Sequence, residues 1–578
     1  MRRQRLLWIV TLLLPFVLLA GAEGMLRLTG IGRLEPLFIP VTAAPGYLQP
    51  NPDAIRRFFP DPKRAPDVSI DTTWFPAQKR AGTLRIFVQG ESSAAGFPYG
   101  RWASPAALLQ QRLQRSYPDR NVEVINTAMA AVTSYVLLDF ADEIIAQHPD
   151  AVVIYTGHNE YLGIGGVGSS LAASSSPTLA RTIAALRRVY LYRALERVLA
   201  PMFEPAEDQL ANHGGTLMAR IARERSIPLG SPLFRQGEAQ FRGNLERLLA
   251  KYQRVHIPVF IGTLASNLRD QPPFVSTSRS GGESAQVHYD HARQLDRAGH
   301  FDRALAEYTQ ARDLDGLRFR APESFDALIR GAARAEGATV VDVHGALARA
   351  ARDGIVGADL MLEHVHPNVE GYFQLASAYY PPIVAWAGPP AFNVDDATAR
   401  RELPVTELDR LAGEYRVLRL KHDWPFVPQT EAVALPTPAN RIEQLAQAWF
   451  AGNLSWVDTM RDAIEVYQAA GNTVEAARCA VNLADAFVTS DSIQYMAGRL
   501  LLRAEPPERA PRYLQRAIDL NAAAPIEYRL SLAEAYARAG HSDRSIATLQ
   551  AILREHPTDE RAKYWLQEMR ARGAAISR

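Results

Sequence analysis

The chain has 578 residues, 47% of them hydrophobic and 22% charged, with a formal net charge of +2 and a single cysteine. Its length exceeds one ordinary hydrophobic core, so several domains are expected. Arg and Lys interleaved among Asp and Glu give no basic face for nucleic acid, and the lone Cys479 excludes an intrachain disulfide framework and a cysteine-rich zinc site.

At the N-terminus, MRRQR precedes LLWIVTLLLPFVLLAGA, an uncharged apolar run from Leu6 to Ala22. Its length sits at the short end of what crosses a hydrocarbon core. The basic flank predicts that everything downstream lies outside the cytoplasm. Apolar spacing continues through EGMLRLTGIGRL, which favours a retained anchor over residues 1–30. Ala20-Gly21-Ala22 is compatible with signal-peptide cleavage, so secretion is the alternative. The expected location is a bacterial-type inner membrane, single-pass, with the bulk of the chain on the periplasmic side.

Residues 31–80 are rich in Pro, Asp and Ala and read as an extended lead-in. Five β-rich runs follow: TLRIFVQG (83–90), VEVINTA (122–128), AVVIYTG (151–157), HIPVFIG (256–262) and TVVDVHG (339–345). Amphipathic helical patterns separate them. This alternation predicts an α/β unit over 81–390, with a parallel sheet of about five strands covered on both faces. In such sheets the chemistry gathers beyond the carboxyl ends of the strands. Two helical insertions are expected, at 163–250 and 270–335. The first contains RTIAALRRVYLYRALERVLA, whose mixed basic and apolar surface suits packing on the sheet domain or on a membrane. The second contains ARQLDRAGHFDRALAEYTQARDLD, a helical hairpin with Gly299 at its turn.

The Pro-rich stretch VPQTEAVALPTPAN lies in an expected linker region, 391–439, before an all-α region at 440–578. There RLSLAEAYARAGHSDRSIATLQAILREHP places Leu532, Ala533, Tyr536, Gly540, Leu549 and Pro557 as a 34-residue tetratricopeptide repeat requires. Looser copies precede it. Stacked helical repeats form concave surfaces, so a protein or peptide partner is expected. Cys479, in the Ala-rich run EAARCAVNLADAF, reads as helix packing.

Four stretches carry candidate chemistry. FVQGESSAAGFPYG (87–100) leaves the first strand with two adjacent serines, Ser92 and Ser93. INTAMAAVTS (125–134) and GHNE (157–160) leave the next two with small residues and an asparagine amide. MLEHVHPNVEGYFQLA (361–376) spaces Glu363 and His366 so that one loop brings carboxylate and imidazole together. An imidazole held on one nitrogen by a carboxylate can take a serine proton on the other. His364 and His366, at i and i+2, are expected on opposite sides of an extended chain; no metal site is expected there, and no cofactor.

These four stretches together resemble, in order, the blocks of the SGNH hydrolases, also called GDSL esterases and lipases. The resemblance implies a three-layer αβα, flavodoxin-like fold and a serine-dependent ester hydrolase. Ser92 is then the nucleophile, His366 the base, and Glu363 stands where the family usually carries Asp. Glu91 likewise replaces the usual Asp of the first block. Ser92 N–H, Ala131 N–H and the Asn159 amide become the oxyanion donors, with Ala131 in place of the family glycine. The Ala131 methyl is expected to exclude the positive φ that glycine takes easily. Glu160 completes the third block and, with His158, Asn267, Arg269 and Arg320, is a candidate for the pocket. Arg318 and Arg320 suit either an anionic substrate or salt bridges to the inserted hairpin. The substrate expected is an ester-bearing small molecule, lipid or glycan. The family also permits O-acyl transfer to a polysaccharide or other alcohol acceptor, and a non-catalytic interaction role for the repeats is a third reading.

Overall fold

The computed structural model describes residues 2–576 apart from 60–64, 66–67, 172–181, 184–185, 204–220, 280 and 505–506. Five strands form one sheet: β1 (Leu84–Gly90), β2 (Val122–Asn126), β3 (Ala151–Tyr155), β4 (Val259–Gly262) and β5 (Thr339–Val341). Their order is β2-β1-β3-β4-β5 and every pairing is parallel. All residues of β1, β2, β3 and β4 are buried, as continuous apolar runs of a doubly covered sheet should be. The one buried cation of β1, Arg85, is matched by Glu123 on β2 at 2.7 Å and by the carbonyls of Gln147 and Pro76. Those partners offset the cost of taking a guanidinium out of water.

All five strands are shorter than their sequence runs, the fourth and fifth most. The fourth begins at Val259, because His256 adopts a positive φ and Pro258 cannot donate a ladder bond. The fifth ends at Val341, where Asp342 leads into a helix over Val343–Ala350.

The helices around the sheet fall into two packed groups. Helix Pro105–Ser116 lies against Val369–Ala387; Ser134–Ile145 and Ser324–Glu336 both lie against Pro232–Arg254. Ser104, followed by Pro105, starts the first by accepting from the Ala107 N–H. The range 163–250 contributes helices Tyr190–Phe203 and Pro232–Arg254. The expected helical run from Arg181 is described as a long helix only from Tyr190, and part of it lies outside the described residues. In 270–335, helices Ala285–Arg297 and Phe301–Asp313 pack on one another through Ala292, Tyr308 and Ala311. Gly299 turns between them at φ 78°.

The C-terminal region is all-α, and its successive helices from Arg441 to Ile576 pack pairwise around two cores, the larger of which buries Cys479. The range 391–439 is not bare linker: helix Glu407–Lys421 contributes Leu408 and Tyr415 to that core. Residues 31–80 include a small antiparallel sheet of Phe38–Pro40, Tyr47–Pro50 and Phe75–Pro76. One N-terminal helix, Arg2–Thr29, exposes Trp8, Ile9, Leu12, Phe16 and Leu19, and Thr11–Thr29 is long and apolar enough to cross a membrane. Such a helix is consistent with an anchor or with a cleavable signal peptide.

The C-terminal helices rest on the segment that follows β1. Trp102 stacks on Trp456 with centroids 5.7 Å apart, and Arg416 donates to the Pro98 carbonyl at 2.7 Å.

Candidate active site

The order in which strands are added reverses between β1 and β3, and the crevice beyond their carboxyl ends is where doubly wound sheets of this order bind ligands. Ser92 follows β1 there. Gly90 lets the turn form, because a Cβ at that position would lie 2.2 Å from the Tyr155 carbonyl oxygen. Ser92 is half-buried, whereas Ser93 is buried and donates to the Val365 carbonyl at 3.1 Å. The neighbouring serine is therefore occupied by the fold.

The second piece arrives from the loop before helix Val369–Ala387. Asn368 starts that helix by accepting the Gly371 N–H at 2.9 Å. The Leu362 N–H donates back to the His366 carbonyl at 2.9 Å, closing a tight bend over 361–367. Within the bend the Glu363 carboxylate accepts the His366 N–H at 3.1 Å and pairs with His366 Nδ1 through the same Oε1. His366 Nε2 lies 2.7 Å from Ser92 Oγ. With the proton on Nδ1 facing the carboxylate, Nε2 is free to accept from the serine hydroxyl. The Phe97 ring packs 4.6 Å from the imidazole, centroid to centroid.

His364 does not point away from His366. Because the chain is bent rather than extended, His364 Nδ1 pairs with the second oxygen, Oε2, of the same Glu363 carboxylate. Burial alone would raise the Glu363 pKa; the two imidazoles more than offset it and hold the carboxyl well below its ordinary range.

The loops carrying Ala131 and Asn159 are each secured by a buried carboxylate. Glu91 accepts from Thr156 Oγ1 at 2.9 Å, the Gly157 N–H at 2.8 Å and the Asn159 N–H at 3.1 Å. Burial pushes its pKa up to about 8, against the pull of those three donors. Glu160 accepts from both the N–H and the hydroxyl of Ser134, each at 2.9 Å, and from Gln240 at 2.8 Å. Burial raises its pKa to about 7. Glu160 is thus a strut beneath the loop, correcting its reading as a pocket residue. Sequence reasoning gave Glu91 no such part, although an acid between a strand and a serine was the available signal.

Ala131 adopts φ 59°, so its methyl does not exclude the left-handed geometry as expected. Its carbonyl accepts the Ile164 N–H at 2.8 Å, which helps to hold it there. The Asn159 side chain has no hydrogen-bond partner among the described residues, leaving its amide available.

The remaining pocket candidates divide. Asn267 lines a cleft of about 400 Å³ together with Asp270, Phe274, Glu363 and Lys421. Arg269 does not face a pocket: it pairs with Asp296 of the inserted hairpin at 2.9 Å and with Asp353 at 3.3 Å. Arg320 is likewise consumed, by Asp315 at 3.1 Å and by the carbonyls of Asn267 and Gln271. Arg318 donates to the carbonyls of Ile227 and Asp313. Arg320 thus makes an ion pair, whereas Arg318 makes backbone hydrogen bonds and no ion pair among the described residues. His158 is buried and accepts the Ala321 N–H on Nδ1 at 3.3 Å, which places its proton on Nε2. Burial, reinforced by His364 and His366, lowers its pKa to about 3, so the ring is neutral.

Among the described residues, Glu323, Asp326 and His344 bring three possible metal-ligand atoms within 4.8 Å of one another. They already have protein partners: Arg312 for Glu323, the Leu264 N–H and His344 for Asp326.

No family model and no curated protein matches the chain. Among solved structures it is similar to TesA, at 14% identity and TM-score 0.25, covering 52% of this chain and 98% of that one. A GDSL-like lipase from Bacteroides thetaiotaomicron VPI-5482 aligns at 13% identity and TM-score 0.25, covering 52% and 87%. A lipase/acylhydrolase from Enterococcus faecalis aligns at 17% and 0.26, covering 53% and 98%. At these values the likeness carries no argument about activity.

Proposed function

We propose that this chain is a serine ester hydrolase of the SGNH kind, a three-layer α/β catalytic body joined to tetratricopeptide-like repeats. The observation that carries the reading is the 2.7 Å approach of Ser92 Oγ to His366 Nε2, with Glu363 on the opposite ring nitrogen. Glu363 and the bend of 361–367 fix the imidazole's orientation, so Nε2 faces the serine rather than solvent.

In the proposed reaction His366 takes the hydroxyl proton as Ser92 Oγ attacks the ester carbonyl. The tetrahedral oxyanion is met by the Asn159 amide and by the N–H groups of Ala131 and Ser92. Collapse breaks the ester C–O bond, and His366 returns the proton to the leaving alcohol. Water, deprotonated by the same imidazole, then releases the acid from the acyl-serine and regenerates Ser92. The substrate class is an ester-bearing small molecule, lipid or envelope glycan. The repeats supply a protein-binding surface, and the N-terminal helix holds the body outside the cytoplasm.

The test is turnover of an activated aryl acetate by wild-type protein and Ser92→Ala. The variant should lose about a thousandfold or more, down to what the oxyanion donors alone supply. Equal turnover by the two proteins would overturn the reading.

A further inference from the structure

The Glu363 carboxylate is shared between two imidazoles, one on each oxygen. We propose that His364 is a positioning residue for the Ser92–His366 pair, holding Glu363 so that Oε1 faces His366. The inference rests on the hydrolase reading above.

A glutamate side chain has three rotatable bonds, one more than the aspartate usual at this place. Both bonds to His366, from its backbone N–H and from its ring, fall on Oε1 and leave Oε2 to be held by other groups. The Val365 N–H reaches Oε2 only at 3.4 Å, a weak contact. His364 Nδ1 is the nearer neighbour of that oxygen. Its own ring has little room to move: Phe274, Phe319 and Phe426 stand around it with centroids 5.6, 5.7 and 5.7 Å away. Its backbone carbonyl accepts the Asn267 N–H at 2.9 Å. Burial pushes the His364 pKa below its ordinary value, so the ring stands against the carboxylate as a neutral imidazole. The extra methylene of Glu363 is thereby compensated by a second imidazole, which fixes the rotamer that a shorter side chain would hold unaided.

Three substitutions in the full chain separate donor from bulk. His364→Asn keeps an amide donor near the place of Nδ1, His364→Gln moves it toward that of Nε2, and His364→Phe keeps the ring without a donor. With the aryl acetate, Gln and Phe should lower kcat by about tenfold to a hundredfold, the scale of small misplacements in an active site, with KM within about twofold. Asn should restore kcat to within about threefold of wild type. Rates are taken per folded molecule, from far-UV circular dichroism. Wild-type kcat in His364→Phe, or equal impairment of the Asn and Gln variants, would overturn the proposal. Should the Phe variant not fold, the Asn and Gln pair still decides. Loss of turnover in Ser92→Ala alongside an unaffected His364→Gln would fail this inference alone; an active Ser92→Ala would fail the hydrolase reading beneath it.

Discussion

Glu91 accepts the backbone N–H of Asn159 at 3.1 Å, so the residue before the proposed nucleophile sets the path of the loop that carries the proposed oxyanion amide. The same carboxylate takes Thr156 and Gly157, tying the end of β3 to the end of β1. Replacing it by Ala leaves those three donors without their acceptor. In Glu91→Ala the loop should shift, and aryl-acetate kcat should fall by about tenfold to a hundredfold. Steady-state kinetics with a circular-dichroism control for folding checks this.

Asn159→Ala removes the amide while leaving the backbone bond to Glu91 intact. If the side chain meets charge only as the oxyanion forms, kcat should drop by about a hundredfold to a thousandfold and KM should change little. A rise in KM at constant kcat would instead make Asn159 a ground-state contact.

Ala131 at φ 59° carries a left-handed backbone that costs a non-glycine residue about 1–2 kcal/mol. Glycine relieves that strain and gives back about 0.5–1 kcal/mol through its freer unfolded state. Ala131→Gly should therefore stabilise the protein by up to about 1.5 kcal/mol. The N–H is retained, so activity should stay close to wild type. Chemical denaturation alongside kinetics measures both.

Stability should fall as the solution becomes more alkaline through the window set by Glu160. Above about 4.5 the unfolded chain's carboxyl ionises, while burial keeps the folded one protonated up to about 7. Across that window the folded state binds more protons, so rising pH favours unfolding. Glu160→Gln cannot ionise in either state. Its melting temperature should change less between pH 5 and 7.5 than that of wild type, as read by thermal scans at several pH values. A slope equal to the wild-type slope would show that Glu160 is ionised in the folded protein.

Much of this site was legible in the sequence because strand ends are legible. Buried apolar runs mark β1 and β3, and the residues just past them, Ser92 and Asn159, fall in one crevice for any parallel sheet with this strand order. Glu363 and His366 were legible through their three-residue spacing. What could not be read depends on the path of loops. Periodicity does not say that the chain bends at 361–367, so the meeting of His364 with Glu363 contradicts the alternation of an extended strand. Arg269 looked free because its partner Asp296 lies on a hairpin whose docking no local pattern encodes. Ala131 was judged by its intrinsic preference, and the tertiary contacts around it overrode that preference.

The stacking of Trp102 on Trp456, with Arg416 on the Pro98 carbonyl, has a bearing on how the chain could be re-engineered. These contacts fall within a dozen residues of Ser92, on the stretch leading directly away from it. Exchanging the helices from Glu407 onward for another protein's would leave the Trp102 indole and the Pro98 carbonyl without these partners. The halves of this chain are not interchangeable parts.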